Sequence, residues 1–477
     1  MRVESGHSSG RNTLPGWQSF LSEKVVSGVT IIAIALAPAL AFAQPSGKVP
    51  DGFTFTAAGD LIAPKPGLVN NPALSRIAEL FRRADLGFAN QEGAIFDLNT
   101  FKGSPAAENG GGIPVSPPEV ARDLKSIGIS IVSKANNHAT DWGAEGLIAT
   151  LDTLAAMGIV QAGSGLGLNE ARAPGYVETR HGLAALVSTA STFPPMSVAA
   201  PSIEYRGTIL RSRPGISALH VRLVRLVSPD DFAAVRRVAG GMAYPTPGRE
   251  DEVRIGDVLF RKSGSPGLTW EMAQADEAAL LASVREARAK AGFVLFTIHA
   301  HQTTGDEDEG PAPFQPEVLH FANEAASPND PRPADFEPAL FHAVIDAGAD
   351  AVVRTGPHVL NGIEIYKGKP IFYSLGSLFF PFGQRRTFIT AAGEKLTLPD
   401  ESFESVIPVT TYQHGKVSEI RLYPIAIDAS SGPAAGSPFL APPDQARRIL
   451  ERVKSFSMQF GTEIHIENGV GLITASP

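Results

Sequence analysis

The chain contains 477 residues, of which 43% are hydrophobic, enough to build a large core in two to three domains or in one elaborated domain. Its net charge of -8 at pH 7 and its isoelectric point near 5.8 argue against a nucleic-acid partner, because such proteins depend on a basic surface. The sequence has no cysteine, so disulfide bonds and thiolate zinc sites are excluded, and any metal must be bound through oxygen and imidazole nitrogen.

Residues 1–43 have the pattern of a signal peptide. A polar leader precedes an apolar stretch over residues 25–43, which closes on the small-x-small sequence Ala41-Phe42-Ala43. We expect cleavage there, so that the mature chain is exported and is periplasmic or extracellular. The alternative is an uncleaved membrane anchor through residues 25–43, whose length approaches the roughly 20 apolar residues that span a bilayer. A short linker over residues 44–52 follows.

Downstream, short β-branched or aromatic segments alternate with helical patterns, which predicts an α/β fold whose strands are connected through helices. The stretch "GIEIYKGKPIFYSLGS" predicts a hairpin that turns at Lys367-Gly368. The predicted strands include "FTFTAAGD", "DLGFANQEG", "ISIVSKANNH", "FVLFTIHAHQ" and "AVVRTGPHVL". The predicted helices include "PALSRIAELFRRA", "SPPEVARDLKSIG", "GAEGLIATLDTLAAMG", "WEMAQADEAALLASVREARAKAG" and "ADFEPALFHAVIDAGAD".

Two stretches interrupt this alternation. Residues 195–265 are rich in Pro, Gly and Arg, and we interpret them as a long insertion or lid. The segment 303–333 is rich in Asp, Glu and Pro. After it, "SVIPVTTYQ" and "KVSEIRLYPIAI" alternate like an antiparallel pair. We therefore place one main domain over residues 53–430 and a small C-terminal β/α extension over residues 431–477.

Polar side chains follow several predicted strands at the point where each strand ends. Because the carboxyl ends of parallel strands meet at one edge of a sheet, where ligands bind, we expect these side chains to gather in one site. Carboxylate, amide oxygen and imidazole together suit Zn, Mn or Fe better than Ca. The sequence therefore predicts a centre for one or two divalent metal ions among Asp60, Asn90, Glu92, Asn137, His138, His299, His301 and His358.

Several of these positions also have an explanation that involves no metal. Asp60 taken alone is explained as a cap or loop carboxylate. For Glu92 turn chemistry is a weaker explanation, and both alternatives stay open. The side chains of His299 and His301 are expected to point to opposite sides of an extended segment. One of them would then bind metal, while the other supports the site or packs in the core.

Five segments in order resemble the motif series of CapA/PgsA-type capsule synthesis proteins, which are associated with poly-γ-glutamate. The similarity covers the chain from about Phe53 to Ile427. This family is similar to the calcineurin-like metallophosphoesterases, so the resemblance implies a metallophosphoesterase-like four-layer α-β-β-α sandwich with a metal centre at one sheet edge. The segments are "AAGDL", "ANQEGAIFD", "ANNHATDWGAEGLIATLDTLAAMGI", "FTIHAHQ" and "DAGADAVVRTGPHVLNGIEIYKGKPIFYSLGS".

The resemblance also implies a role for each matching residue. His138 resembles the histidine that protonates the leaving group, and Glu92 the acidic residue that bridges or completes the second metal position. The implied metal ligands are Asp60, Glu92, Asn137, His299 and His358. Residues that would support the site or replace a ligand are Asn90, Asp141, His301 and Thr355.

Two motifs depart from the metallophosphoesterase pattern. The usual Asp-x-His of the first motif is Asp60-Leu61-Ile62 here, and the usual Gly-His-x-His of the last motif is Thr355-Gly356-Pro357-His358. Capsule-type relatives often have a histidine where this chain has Thr355. Each missing imidazole weakens one metal position, so a mononuclear or weakly loaded site is the alternative to two ions.

These observations predict an exported, metal-dependent hydrolase that acts in making or remodelling a surface polymer, with the polymer or its precursor as partner. The alternative is a non-catalytic accessory that binds the polymer within a membrane polymer-synthase complex. Fold analogy alone does not separate the two hypotheses.

Overall fold

The chain folds around two large β-sheets. The structure is a computed structural model, and it describes residues 48–107, 114–240, 243–246, 248–256, 258–303, 332–383, 386–389 and 395–474. All of these residues belong to one compact unit, Gln44–Pro477. The predicted signal peptide or anchor over residues 1–43 lies outside the described residues. Among the described helices, none has both the length and the apolar character needed to cross a bilayer.

The first sheet has ten strands and is parallel on one side and antiparallel on the other. Strand Thr54–Leu61 pairs in parallel with Leu86–Asn90 and antiparallel with Glu404–Gln413. The antiparallel pair predicted near the C-terminus is confirmed, since Glu404–Gln413 pairs with Lys416–Ile427. Two of the ten strands lie outside the main order: Ser377–Phe379 pairs with Thr54–Leu61, and Pro438–Leu440 pairs with Lys416–Ile427. The other eight strands, in spatial order, are His465–Glu467, Val470–Thr474, Lys416–Ile427, Glu404–Gln413, Thr54–Leu61, Leu86–Asn90, Ile131–Ser133 and Val160–Ala162.

The second sheet has six strands, and its four central strands are parallel. The predicted hairpin is confirmed, because Ile363–Tyr366 pairs with Lys369–Phe372 around Lys367 and Gly368, both at positive φ. This backbone geometry is that of a type I′ turn, which matches the twist of antiparallel strands. In spatial order the strands are Ile363–Tyr366, Lys369–Phe372, Ala351–Thr355, Phe293–His299, Gly182–Ala190 and Gly175–Thr179.

The helices follow the predicted pattern closely. The helix Glu119–Ile127 ends at Gly128, whose φ of 106° is readily adopted only by glycine and whose N–H bonds to the carbonyls of Leu124 and Lys125. Within the described residues the α-helices are Ser75–Arg83, Glu119–Ile127, Gly143–Ala156, Leu168–Arg172, Pro229–Ala239, Gln274–Lys290, Phe336–Ala347 and Pro443–Met458. Short 3-10 helices span Leu68–Asn70, Pro72–Leu74, Pro195–Ser197 and Asp400–Phe403.

Three apolar clusters hold these elements together. They form on both faces of each sheet because successive side chains along a strand point to opposite faces. In strand Phe293–His299, Phe293 and Leu295 join a cluster shared by both sheets, whereas Val294 and Phe296 join a cluster shared with helices Gln274–Lys290 and Phe336–Ala347. A third cluster packs the other face of the first sheet against helices of the N-terminal half. The predicted α/β fold is therefore confirmed.

A five-stranded sheet begins within the segment interpreted as an insertion, residues 195–265, and extends past that segment to Met272. The helix predicted from Trp270 begins only at Gln274, because Gly267–Met272 is a strand of this sheet. Its strands, in spatial order, are Ala243–Thr246, Arg249–Ile255, Val258–Lys262, Val221–Val227 and Gly267–Met272. Two-stranded pairings join Ala94–Ile95 to Val115–Ser116, Ser164–Gly165 to Gly215–Ile216, Ile203–Tyr205 to Thr208–Leu210, and Thr387–Ile389 to Lys395–Thr397.

Candidate metal centre

Strand pairing brings the predicted site residues into one place at the carboxyl ends of parallel strands. In the first sheet Asp60 lies opposite Asn90 in the register of the two strands. In the second sheet His299 lies opposite Thr355 in the same way. The two sheets meet here, because the Asn90 amide nitrogen lies 2.8 Å from Oδ1 of Asp60 and 3.2 Å from Nδ1 of His299. The predicted convergence of these side chains is therefore observed.

Asp60 is buried and makes polar contacts on both of its carboxylate oxygens. Its Oδ2 accepts a hydrogen bond from the Gly356 N–H at 3.2 Å and lies 3.2 Å from Nδ1 of His358. Burial acts to raise the pKa of Asp60, but hydrogen bonding to His358 and the charges of His358 and His299 hold that pKa below its usual value. Asp60 is therefore ionised near neutral pH, as a metal ligand must be.

Glu92 lies at the centre of the site, where it belongs to two groups of side chains. Asp60, Glu92 and His358 can each direct one ligand atom into a region where those atoms lie within 4.8 Å of one another. Glu92, His299 and His301 form a second group by the same measure. All five residues are buried. The site therefore has two groups that could each hold a metal ion, and they share one carboxylate.

The expectation that His299 and His301 point to opposite sides is wrong. Residues two positions apart in an extended chain point to the same side, and the strand itself ends at His299. The Nε2 atoms of the two rings lie 3.1 Å apart, and both rings are buried. Both imidazoles therefore enter the site.

The pKa of His299 is far below its usual value. Burial and, to a smaller extent, the nearby cationic groups lower it to about 3, against the opposing negative charge of Asp60. Nδ1 of His299 lies 3.2 Å from the Thr355 hydroxyl, which supports the ring. The imidazole is therefore neutral at physiological pH, which is the form that binds metal.

His358 has an unusual backbone conformation that brings its ring into the site. Its φ is 53°, in the left-handed region that non-glycine residues rarely adopt, and it follows Gly356 at a φ of 112°. Nδ1 of His358 lies 3.0 Å from the Ser377 hydroxyl. Such backbone strain persists only where the surrounding structure holds it, and it is common at ligand sites.

His138 and Asp141 form a pair at the entrance of the site. Nδ1 of His138 lies 2.6 Å from Oδ2 of Asp141, and Nε2 lies 3.9 Å from Oε1 of Glu92. His138 is 8% exposed, whereas Glu92 and His299 are fully buried. The His138 ring therefore borders both solvent and the carboxylate that the two groups share.

The two asparagines beside His138 both have a buried Oδ1 that no donor reaches among the described residues, and the amide nitrogen of Asn136 is hydrogen-bonded. The Asn136 amide donates to Oδ1 of Asn90 at 3.2 Å and to the Gln91 carbonyl at 3.0 Å. Among the described residues, no hydrogen-bond donor reaches the buried Oδ1 of Asn137. A buried amide oxygen without a donor is costly, and a cation would satisfy it. The carboxylates and imidazoles of the two groups fit a divalent ion.

Lys134 supports the site but is not among the residues predicted from the sequence. Its side chain is fully buried, and Nζ donates to the carbonyls of Gln91, Glu92 and Gly93 at 3.1, 2.9 and 3.0 Å. Burial lowers the pKa of Lys134 to about 8, although the charges of Asp141 and Glu92 oppose this. Lys134 directly follows the strand Ile131–Ser133, where a lysine normally lies in solvent, so the residue pattern does not indicate this role.

Ile62 occupies the position where the phosphoesterase pattern has an imidazole. Its side chain packs in a small apolar cluster with Phe380, Leu398, Phe403 and Ile427. An imidazole at this position would replace apolar contacts with an unsatisfied polar group. The surroundings of residue 62 therefore accommodate an apolar side chain and do not accommodate a metal-binding imidazole.

Comparison with known proteins places the chain in a family. The sequence model described as bacterial capsule synthesis protein PGA_cap matches residues 54–327 and 318–381, a range that contains both groups. Uncharacterized proteins y4uA and y4sH of Sinorhizobium fredii (strain NBRC 101917 / NGR234) are each 38% identical over 461 residues, covering 89% of this chain and 94% of theirs.

A more distant relative has a described role. The PGA biosynthesis protein CapA of Bacillus subtilis (strain 168) is 26% identical over 269 residues, which cover 56% of this chain and 47% of that protein. The membership predicted from the motif series is thus confirmed, and the chain belongs to the bacterial capsule synthesis protein family.

Proposed function

We propose that this chain is a metal-dependent hydrolase of the metallophosphoesterase type that cleaves a phosphoester or amide bond while a capsule polymer is made or remodelled. One observation carries the proposal: Glu92 is shared by two groups able to hold metal, and a histidine paired with a carboxylate lies beside it. A purely structural site would not need a buried carboxylate surrounded by imidazoles, because buried charges are costly.

The fold supports this proposal. The cluster between the two sheets and the clusters on their outer faces are what a four-layer α-β-β-α sandwich requires. In such a sandwich the carboxyl ends of the central strands supply the ligands from both sheets at one edge. Asp60 and Asn90 come from the first sheet and His299 from the second, in agreement with that arrangement.

The residues divide into those that would hold metal and those that would move a proton. Asp60, Glu92 and His358 would hold one ion, and Glu92 and His299 the other, with the Asn137 amide oxygen as a further ligand. A bound divalent ion lowers the pKa of water toward about 7 and polarises the scissile bond.

His138 is the proposed general acid. Asp141 accepts a hydrogen bond from Nδ1–H of its ring, which fixes the ring and directs Nε2 toward Glu92 and the site. From Nε2 the imidazolium donates a proton to the departing oxygen or nitrogen, and the negative charge of Asp141 stabilises the imidazolium before the transfer. The greater exposure of His138 lets a leaving group that is part of a long polymer remain in solvent.

The substrate class follows from the family and remains part of the proposal. A relative is called a PGA biosynthesis protein, and we propose poly-γ-glutamate or its precursor as the polymer. We further propose that the chain acts outside the cytoplasmic membrane, where such a polymer accumulates, in contact with a membrane synthase complex.

Metal analysis combined with one variant tests the proposal. Purified protein is expected to contain a divalent ion and to hydrolyse a generic phosphodiester, and His138→Ala is expected to keep the ion while its kcat falls about 10²–10⁴-fold. His342→Ala is the matched control, because His342 pairs with Glu364 on a partly exposed helix face. A protein that binds no metal and gains no stability from added cations contradicts the proposal.

The second candidate function is that of a non-catalytic accessory that binds the polymer. The apolar surroundings of Ile62 favour it, because that part of the site lacks an imidazole that the phosphoesterase pattern contains. This candidate predicts metal-independent binding of the polymer and no turnover. Retention of polymer by the chelated protein, with no hydrolysis after metal is restored, would support it.

A further inference from the structure

We propose that His301 supplies the imidazole that the last motif lacks, and that Gly356 leaves the space for its ring. His301 would thus complete the second metal position together with Glu92 and His299. The inference rests on the metal-binding part of the proposed function, and it concerns how this chain in particular builds that position.

The first argument is the distance between ring nitrogens. Two imidazole nitrogens bound to one ion at about 2.0–2.1 Å can lie no more than about 4.2 Å apart. The Nε2 atoms of His299 and His301 lie 3.1 Å apart, and Nε2 of His299 lies 3.8 Å from Oε1 of Glu92. The three side chains can therefore reach a common ion without rearrangement of the backbone.

The second argument is the space beside Gly356. A Cβ atom at this residue would lie 3.2 Å from both Cδ2 and Nε2 of His301 and 3.0 Å from the Ala300 carbonyl oxygen. A side chain at residue 356 and the present ring of His301 would therefore crowd each other. The Gly-His-x-His pattern places an imidazole at the position of Gly356, and here an imidazole reaches the same region from residue 301.

The third argument is that the loop holds His301 firmly. Its backbone N–H donates to the Thr192 hydroxyl at 2.9 Å. The next residue, Gln302, accepts from the Ser191 hydroxyl through its side chain at 2.8 Å and from the Arg354 guanidinium through its carbonyl at 2.7 Å. A loop anchored on both sides presents a ring in one orientation, which is what a metal position requires.

The surroundings of the ring also distinguish His301 from a histidine that only fills the core. The ring centroid lies 5.0 Å from that of His299 and 5.6 Å from that of His358, both at edge-to-face angles. Imidazole nitrogen and carboxylate oxygen are donor types that a divalent ion binds, and the three rings lie around one carboxylate. The cluster therefore has the composition of a metal position.

Titration of the metal-free full chain with Mn²⁺ tests the inference. Calorimetry counts the ions bound, and electron paramagnetic resonance distinguishes an exchange-coupled ion pair from single ions. The wild-type chain is expected to bind two ions and give the coupled signal. His301→Ala is expected to lose that signal and to bind one of the two ions at least about 100-fold more weakly, more than the loss of a supporting residue costs.

Rescue separates a ligand from a packing residue. In His301→Gly the vacated space is expected to admit free imidazole, so that millimolar imidazole restores the coupled signal. His220→Gly, which removes a histidine paired with Asp276, is the matched control and is expected to bind Mn²⁺ as the wild type does. If His301→Ala does not fold, His301→Gln keeps the volume of the side chain and provides the same comparison.

The outcomes separate the inference from the proposed function. A wild-type chain that binds Mn²⁺, with a His301→Ala variant of equal stoichiometry and affinity, overturns the role of His301 and leaves the proposed function standing. Failure of imidazole to restore binding in His301→Gly overturns it as well. A wild-type chain that binds no Mn²⁺ overturns both.

Discussion

Oδ2 of Asp141 lies 2.6 Å from Nδ1 of His138 and directs the other nitrogen of that ring toward Glu92. The pair is buried except for a narrow exposed side of the His138 ring. Because a carboxylate behind an imidazole fixes both its tautomer and its orientation, Asp141 determines which ring nitrogen of His138 faces Glu92.

The first prediction concerns this pair. Asp141→Asn removes the charge and favours the wrong tautomer of His138, so kcat for a phosphodiester is expected to fall by at least about 10²-fold. The Mn²⁺ content is expected to stay unchanged, because Asp141 is in neither group that could hold metal. Steady-state kinetics with metal analysis measures both, and Glu145→Gln, an exposed carboxylate at the start of the next helix, is the control. Equal kcat values for Asp141→Asn and wild type would remove Asp141 from the mechanism.

The second prediction concerns Lys134. Its ammonium group binds three successive carbonyls and so holds the backbone that carries Glu92. Lys134→Met removes all three hydrogen bonds, and because Glu92 is shared, Mn²⁺ affinity is expected to fall about 10–100-fold at both positions. Calorimetric titration measures this. Lys125→Met is the control, since exposed Lys125 also donates to a backbone carbonyl, that of Gly158. Loss of only one ion would argue for a different role.

The third prediction concerns acid stability of the metal-free protein. The pKa of His299 is about 3 in the folded state against an ordinary value of 6.5, so the unfolded chain binds the extra proton first as pH falls between these values. His299 therefore reduces the free energy of unfolding as pH falls. Between about pH 6 and about pH 4 the wild type is expected to lose roughly 2 kcal/mol more than His299→Gln.

Urea unfolding at several pH values measures this difference. Asp60 acts in a separate window, because its pKa is lowered and its contribution is lost only below the ordinary value of 3.8. Unfolding measured above pH 3.8 thus reports mainly the contribution of His299 to the free energy of unfolding. Parallel pH profiles for wild type and His299→Gln would show that His299 titrates normally.

The fourth prediction concerns the close approach of the first strand to the strand that supports His358. A Cβ atom on Gly59 would overlap the Gly376 carbonyl oxygen, so Gly59→Ala forces the backbone apart. A loss of at least about 3 kcal/mol in the free energy of unfolding is expected. Gly292→Ala is the control, because its nearest contact would be 3.6 Å away. Urea unfolding of both variants measures the contrast, and equal stability would contradict the packing described.

Much of the site was predictable because strand direction determines where strand ends lie. The residue pattern reveals the strands, and four site residues occur at or next to the last residue of a strand. They are Asp60, Asn90, His299 and Thr355. Parallel pairing then aligns these ends, so residues far apart in sequence become neighbours. The gathering of polar side chains thus follows from the sequence alone.

Other features could not be predicted because they depend on packing between distant segments. A lysine after a strand normally lies in solvent, and only the fold brings three carbonyls around Lys134. The side on which His301 lies was predictable, because residues two positions apart in an extended chain face the same side, and only the 3.1 Å distance between Nε2 of His301 and Nε2 of His299 depends on the fold. The five-stranded sheet of the insertion was missed because short strands such as Val221–Val227 lie among Pro and Gly residues.

Because Glu92 belongs to both groups, two metal ions held by them would be thermodynamically linked. An ion bound with Asp60 and His358 draws on the same carboxylate that an ion bound with His299 and His301 requires. Binding at either position must therefore alter the affinity of the other by the same factor, whichever is filled first. Occupancy of both positions would then respond to the supply of free metal through one coupled equilibrium.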